Sequence, residues 1–191
     1  GYMIPPGLSF IAMSQKAWEA AEKSNLPKFY LNLKSYRKSL LSNSNPYTPA
    51  VNLVFALDEA LKMMREEGLD NIFFRHNKHK LAMSNAVKAL NLKLFADEKY
   101  LSPSITAIKT EGMDAEEFRK TIKSNFDILL AGGQDHLKGK IFRVGHLGYV
   151  NDRDIITVVS AISKTLLDLG KVTSQQAGEA LVVVSKYLKG N

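Results

Sequence analysis

The chain has 191 residues, of which 45% are hydrophobic and 24% are charged, and it contains no cysteine. This length suits one substantial domain, or one domain with part of another, and the lack of cysteine excludes disulfides and thiolate chemistry. The net charge of +7 comes from lysines scattered over many segments, a pattern typical of solvated faces, so we expect no nucleic-acid partner. No apolar run approaches the roughly 18 residues of a membrane span, and no signal segment is recognisable, so we expect a cytoplasmic protein without a membrane partner.

The chain is predicted to open with a strand and two helices. Leu8–Ser14 follows a pair of prolines and is predicted to be a buried strand. The Ser14 hydroxyl suits the cap of a helix over Gln15–Lys23. The apolar spacing over Lys28–Leu41 predicts a second helix.

A polar loop with two prolines precedes the third predicted helix. Thr48 suits the N-cap of this helix and Pro49 its first position, so the helix is predicted to run from Pro49 to Glu67 and to stop at Gly68. A helix start with a hydroxyl can also bind a phosphate group. These residues alone leave both roles of Thr48 open, and the cap is the commoner one.

The fourth predicted helix, Leu69–Leu90, carries two histidines three residues apart. His76 and His79 therefore share a face, which is one way to hold a metal ion. No carboxylate accompanies them in the sequence, and basic residues surround them. We predict a solvated helix face and no metal site.

Short strands and helices alternate after Asn91, which predicts a domain boundary near residue 90 and a small α+β domain over residues 91–191. The predicted strands are Leu92–Phe95 and Ile105–Lys109. The predicted helices run from Ala115 to about Lys123 after a cap at Asp114, from a cap at Asn151 or Asp152 to Leu169, and from a cap at Thr173 to about Leu188.

Arg143 stands inside the second of two apolar runs, Ile128–Ala131 and Ile141–Val144, which predict two short strands joined by a glycine-rich loop. A guanidinium among apolar neighbours needs an anion, and its planar fork suits a carboxylate. These residues alone leave open whether that carboxylate belongs to a ligand or to an internal Asp or Glu. The internal partner is the commoner case.

Three segments of the chain resemble one family. The order Ala-Gly-Gly-Gln then Lys-Gly-Lys-Ile-Phe-Arg-Val-Gly-His-Leu-Gly, at residues 131–134 and 138–148, is similar to the carboxyl-terminal region of the class V aminotransferases. Gly-Tyr-Met-Ile-Pro-Pro-Gly-Leu at residues 1–8 and Asn-Pro-Tyr-Thr-Pro-Ala-Val at residues 45–51 resemble two other segments of that family. The family includes alanine–glyoxylate and serine–glyoxylate aminotransferases and a protein once described as a soluble hydrogenase small subunit.

The resemblance implies an α/β fold of fold-type I, with residues 1–90 completing the large cofactor-binding domain and residues 91–191 forming the small domain. It implies that Arg143 binds the substrate's carboxylate. It also implies that Thr48 contacts the phosphate of pyridoxal 5'-phosphate bound in the neighbouring subunit of a homodimer. The family's Schiff-base lysine would fall one position before Gly1, so we expect the 191-residue chain alone to be inactive.

The implied reaction moves an amino group between a small amino acid, of the alanine, serine or aspartate type, and a 2-oxo acid such as glyoxylate or pyruvate. Two other classes of function stay open. A non-catalytic regulatory or interaction subunit would keep the fold without needing Arg143, and a basic anion-binding module would use the lysines. The yellow absorbance of a bound cofactor in the full-length protein would separate the enzyme from both.

Overall fold

The computed structural model of the chain describes residues 2–188. These residues form two compact units, residues 2–62 and residues 63–188. Every strand among the described residues belongs to the second unit. The domain boundary predicted near residue 90 stays a prediction.

The first unit is helical. It contains α1 (Gln15–Lys23), α2 (Leu33–Leu41) and the first part of α3 (Val51–Glu67). The predicted cap of α1 is confirmed, because the Ser14 hydroxyl accepts the N–H of Ala17 at 3.2 Å. α2 begins five residues after the predicted Lys28. The Asn32 side chain accepts the N–H of Lys34 at 3.2 Å and so fixes the later start.

The predicted buried strand over Leu8–Ser14 is wrong. The segment is irregular and pairs with no strand among the described residues. Its large side chains are exposed, with 60% of Phe10 and 65% of Ile11 accessible. An apolar run forms a strand only where a neighbouring strand completes its hydrogen bonds, and residues 2–62 supply none.

The third and fourth helices end and begin around one glycine, as predicted. α3 ends at Glu67, and Gly68 follows with a φ of 83°, a left-handed conformation that favours glycine. The N–H of Gly68 donates to the carbonyl of Met64 at 3.0 Å. α4 then runs over Leu69–Ala89, within one residue of its predicted end.

The second unit is built on a four-stranded antiparallel sheet. Its order is β1-β2-β4-β3, and its elements after α4 are β1 (Lys93–Leu94), β2 (Ile105–Lys109), α5 (Ala115–Phe126), β3 (Ala131–Gly132), β4 (Ile141–Gly145), α6 (Asp152–Asp168) and α7 (Ser174–Leu188). Short 3-10 turns occupy Glu98–Tyr100 and Asp135–Leu137. The shared core combines Phe142 and Ile108 of the sheet with Met83, Ile122 and Ile162 of the helices.

The strand predicted over Ile128–Ala131 is wrong for most of its length, because β3 begins only at Ala131. α5 continues three residues past the predicted Lys123 and ends at Phe126. Asp127 then adopts a left-handed conformation with φ 54° and donates its N–H to the carbonyl of Lys123. The longer helix and its cap take up chain that the strand would need, and only Ala131–Gly132 pairs with β4.

The predicted caps of the last three helices are confirmed. Asp114 accepts the second N–H of α5 at 2.7 Å. Asn151 forms a reciprocal capping box with Asp154 at the start of α6. Thr173 and Gln176 form another at the start of α7, with bonds of 2.9 and 3.2 Å. These local signals fix the residues at which α5, α6 and α7 begin.

Candidate functional site

Arg143 projects from the face of the sheet opposite the main core. In β4 its neighbours Phe142 and Val144 are buried in that core, whereas Arg143 itself is half-buried. Its cross-strand partners are Ala107 on β2 and Ala131 on β3. Because both partners are small, they leave room beside a long side chain on this face.

The Arg143 guanidinium is anchored at one nitrogen only. Its Nε donates to the carbonyl of Gly132 at 2.8 Å, and its two terminal nitrogens form no hydrogen bond with the described residues. Within residues 2–188 no Asp or Glu forms an ion pair with it. The internal carboxylate partner left open by the sequence is therefore absent from this part of the chain.

A different arginine, Arg119 on α5, has the internal partners. Its terminal nitrogen Nη1 donates to Glu116 at 2.8 Å, and its Nε donates to the carbonyl of Leu130 at 2.7 Å. The three-residue spacing of Glu116 and Arg119 places them on one helix face. This spacing was the available sequence signal, but the link to Leu130 depends on tertiary structure.

The two glycines of the Ala-Gly-Gly-Gln motif allow close packing around the Arg143 anchor. A side-chain carbon at Gly132 would lie 2.5 Å from Nη1 of Arg119 and 2.6 Å from Oε1 of Glu116. One at Gly133 would lie 2.1 Å from the backbone carbonyl oxygen of Leu137. Both positions exclude a larger residue without movement of the neighbour.

His146 fixes the end of β4. Its buried ring bonds to the carbonyl of Pro103 through Nδ1 at 3.0 Å and to the hydroxyl of Thr106 through Nε2 at 2.9 Å. Since the carbonyl only accepts, Nδ1 carries the hydrogen and Nε2 accepts from Thr106. Burial lowers the pKa of His146 to about 4, so the ring is neutral near pH 7. The backbone N–H of His146 also donates to the carbonyl of Ser104 at 2.9 Å.

The loop after β4 is held by α4. Arg75 donates from Nη1 to the carbonyls of Gly148 and Val150, both at 2.8 Å. The other side of its guanidinium pairs with Glu67 at 2.6 and 2.9 Å. The hydrogen bond from Arg75 holds the pKa of the Glu67 carboxyl below its usual range. Arg75 thereby ties the loop that follows Arg143 to a long helix.

The prediction of a solvated face at His76 and His79 is wrong. His79 is fully buried and His76 is 9% exposed. The N–H of Gly148 donates to His76 Nε2 at 3.1 Å, and His79 Nε2 lies 2.8 Å from Asp152 at the start of α6. The face is buried because it meets the loop after β4 and α6, which the local sequence does not reveal.

Asp152 is shared between a histidine and a lysine. Its second oxygen accepts from Lys78 at 2.8 Å. Burial alone would raise the pKa of Asp152, but the bonds from Lys78 and His79 hold it below its usual value. Burial lowers the pKa of His79. Among the described residues, no group of three or more histidine or acidic side chains is arranged to hold a metal ion.

Thr48 lies in the first unit and Arg143 in the second, so the structure describes each site residue within its own unit. The predicted N-cap role of Thr48 is wrong, because α3 begins at Val51. The N–H of Val51, which a Thr48 cap would bind, donates instead to the carbonyl of Pro49 at 3.0 Å. Thr48 is exposed, and its hydroxyl forms no hydrogen bond with the described residues.

An aromatic cluster precedes Thr48 and was not anticipated from the sequence. The ring of Tyr47 lies 4.7 Å from that of Tyr30 and 6.0 Å from those of Phe29 and Tyr36. The Tyr47 hydroxyl donates to the carbonyl of Phe29 at 3.2 Å. These contacts fix the backbone that presents Thr48.

The chain matches individual known proteins, although no family model matches it. It is 55% identical to the soluble hydrogenase 42 kDa subunit of Anabaena cylindrica over 89% of the chain and 44% of that protein. It is 35% identical to the serine–glyoxylate aminotransferase of Methylorubrum extorquens over 100% of the chain and 49% of that enzyme.

A solved structure gives the same assignment. The crystal structure of ureidoglycine–glyoxylate aminotransferase from Bacillus subtilis superposes with a TM-score of 0.86 at 27% identity, covering 97% of this chain and 49% of that one. The predicted fold-type I architecture is thereby confirmed. The chain belongs to the class V aminotransferase family. It spans about half the length of the relatives that it matches.

The described residues contain no helix that is both long enough and apolar enough to cross a membrane.

Proposed function

We propose that the full-length protein is a pyridoxal 5'-phosphate-dependent aminotransferase and that this chain follows its cofactor lysine. It would move an amino group between a small amino acid, of the alanine, serine or aspartate type, and a 2-oxo acid such as glyoxylate or pyruvate. The observation that carries this proposal is Arg143. Its guanidinium is held at Nε and keeps both terminal nitrogens free of partners among residues 2–188.

Arg143 would bind the carboxylate shared by the amino acid and the 2-oxo acid. With Nε engaged by Gly132, the two terminal nitrogens remain to donate a parallel pair of hydrogen bonds. Such a pair fixes orientation as well as position. A substrate held in this way presents the bond at its alpha carbon in one direction, which is what a positioned reaction requires.

Each of the two residues suits one contact by its own chemistry, Thr48 with a phosphate group and Arg143 with a carboxylate. Pyridoxal phosphate, when bound, supplies the electron sink for the amino-group exchange. Thr48 would donate its exposed hydroxyl to the phosphate of the cofactor bound in the partner subunit, and the Tyr47 cluster would hold the backbone there. Because Thr48 would contact the partner's cofactor, we propose a homodimer. We also propose that the protein is cytoplasmic, and that residues 1–90 complete the large domain while residues 91–191 form the small domain.

A spectrum and a donor screen of the full-length protein test this function. We expect a yellow protein. The visible absorbance of its bound cofactor should be lost on mixing with an amino donor and should return when a 2-oxo acid is added. A colourless protein that gains no absorbance with added pyridoxal phosphate would contradict the proposal. The 191-residue chain alone should be inactive, and borohydride reduction with added cofactor should leave no stoichiometric adduct on one internal lysine.

A second candidate is a non-catalytic subunit with the same fold. It is favoured by the 55% identity to the Anabaena cylindrica protein, which is named as a hydrogenase subunit. Such a subunit needs no free guanidinium at Arg143. The two candidates separate in the same spectrum, because only the enzyme exchanges amino groups.

A further inference from the structure

We propose that Arg119, together with Glu116, is the positioning residue that sets the Arg143 guanidinium for carboxylate binding. The inference rests on the proposed role of Arg143 and adds residues that do not touch the substrate. It is carried by a continuous path of contacts from α5 through β3 to β4.

The path begins on α5. Arg119 Nη1 donates to Glu116 at 2.8 Å, and Arg119 Nε donates to the carbonyl of Leu130 at 2.7 Å. Leu130 is buried and lies directly before β3. β3 is an edge strand of only two residues, Ala131 and Gly132. Few ladder bonds fix so short a strand, so the side-chain bond to Leu130 contributes much of its restraint.

The path ends at Arg143 through Gly132. The Gly132 carbonyl accepts the Nε of Arg143 at 2.8 Å, and this is the one hydrogen bond that the guanidinium makes with residues 2–188. The alpha carbon of Gly132 faces the Arg119 and Glu116 side chains so closely that a side-chain carbon there would lie 2.5 Å from Arg119. A shift of the ion pair therefore shifts the backbone that aims Arg143.

The two arginines differ in whether a carboxylate neutralises their charge. Glu116 neutralises Arg119, and the pair is well shielded, with 23% and 29% of the two side chains exposed. Arg143 has no such partner in the described chain. The substrate carboxylate would thus meet one free guanidinium instead of two. Loss of Glu116 would leave Arg119 as an unpaired cation beside the same strand.

The test uses the full-length holoenzyme and two donors, an amino acid such as L-serine and its counterpart without a carboxylate, ethanolamine. Three variants break the path at different points, namely Arg119→Met, Glu116→Gln and Gly132→Ala. The matched control is Lys120→Met, because Lys120 forms an equally spaced but exposed pair with Glu117 on the same helix. Cofactor absorbance and Tm are measured for each variant.

We expect Arg119→Met to lower kcat/KM for serine roughly ten- to a hundredfold, mainly through KM, since small misplacements of a binding group have effects of this size. The ethanolamine rate and the cofactor content should stay close to wild type. Gly132→Ala should give the same selectivity by displacing the pair. Glu116→Gln keeps the packing and should act in the same direction, so it provides the test if Arg119→Met does not fold. Lys120→Met should have no selective effect.

Equal losses for both donors in the Arg119 and Glu116 variants would overturn the positioning role, because a purely structural role lowers Tm without selecting between substrates. Arg143→Ala is measured in parallel. If Arg143→Ala is selective and the Arg119 and Glu116 variants are not, this inference alone fails. If Arg143→Ala is itself unselective, the proposed function fails, and the positioning role fails with it.

Discussion

The Nε of Arg143 lies 2.8 Å from the carbonyl oxygen of Gly132, and this single contact leaves both terminal nitrogens of the guanidinium without a partner in residues 2–188. An arginine that only braces a fold typically uses its whole fork on internal acceptors. Arg119 shows the contrast, with one carboxylate and one carbonyl as partners. The proposed carboxylate-binding role of Arg143 depends on this difference between the two arginines.

Thr48→Ala should weaken cofactor retention without lowering the stability of α3. The hydroxyl does not cap the helix, because the N–H of Val51 donates to Pro49, so the change in unfolding free energy should stay within about 0.5 kcal/mol. Thr48→Ser should restore retention. Cofactor dissociation is followed by absorbance after gel filtration. A full-length protein that sediments as a monomer and still transaminates would contradict the proposed role of Thr48 at a neighbouring site.

Gly133→Ala should destabilise the protein, whereas Gly145→Ala should not. The added carbon at Gly133 would lie 2.1 Å from the backbone carbonyl of Leu137, so the backbone must move, at a cost of about 1–3 kcal/mol. At Gly145 nothing lies within 4 Å of the added carbon. Urea unfolding of the two variants makes the comparison. Equal stability would show that the loop after β3 rearranges freely.

Stability should fall as the pH is lowered from about 6.5 to about 4. Burial depresses the pKa of His146 from 6.5 to about 4, so the unfolded chain takes up a proton that the folded chain does not. The stabilisation is complete above pH 6.5, and each unit below it costs up to about 1.4 kcal/mol until His146 titrates in the folded state. The lowered pKa of His79 acts in the same direction.

Urea unfolding between pH 7.5 and pH 4 tests this window. His146→Asn should reduce the slope, although it also removes contacts and lowers stability at neutral pH. A wild-type stability that is flat across the window would show that His146 is not buried as a neutral ring.

Local signals in the sequence predict the fold best where the determinants are themselves local. The ends of α3 and α4 follow from Gly68, and the caps at Asn151 and Thr173 specify where α6 and α7 begin. The strand predicted over Leu8–Ser14 failed because strand formation depends on a partner elsewhere in the chain. The short length of β3 followed from the extension of α5, which no composition signal at Ile128–Ala131 revealed.

The candidate site shows the same limit. The family resemblance singled out Thr48 and Arg143, and these roles stay predictions. Tertiary contacts decide that the His76–His79 face is buried. They also decide that Arg119 bonds to the carbonyl of Leu130, whereas its pair with Glu116 follows the three-residue spacing of α5. Neither tertiary contact follows from helical spacing, because spacing fixes which side chains share a face but not what that face meets.

The central claim is that Arg143 binds the substrate's carboxylate, and Arg143→Ala in the full-length enzyme tests it most directly. The measurement is kcat/KM for an amino acid and for the matching amine that lacks the carboxylate. We expect a loss of roughly 3 kcal/mol or more in transition-state stabilisation for the amino acid, a smaller loss for Arg143→Lys, and retained cofactor in both variants. The amine should react at nearly the wild-type rate. Equal losses for both substrates would contradict the claim and leave Arg143 as a brace of the sheet.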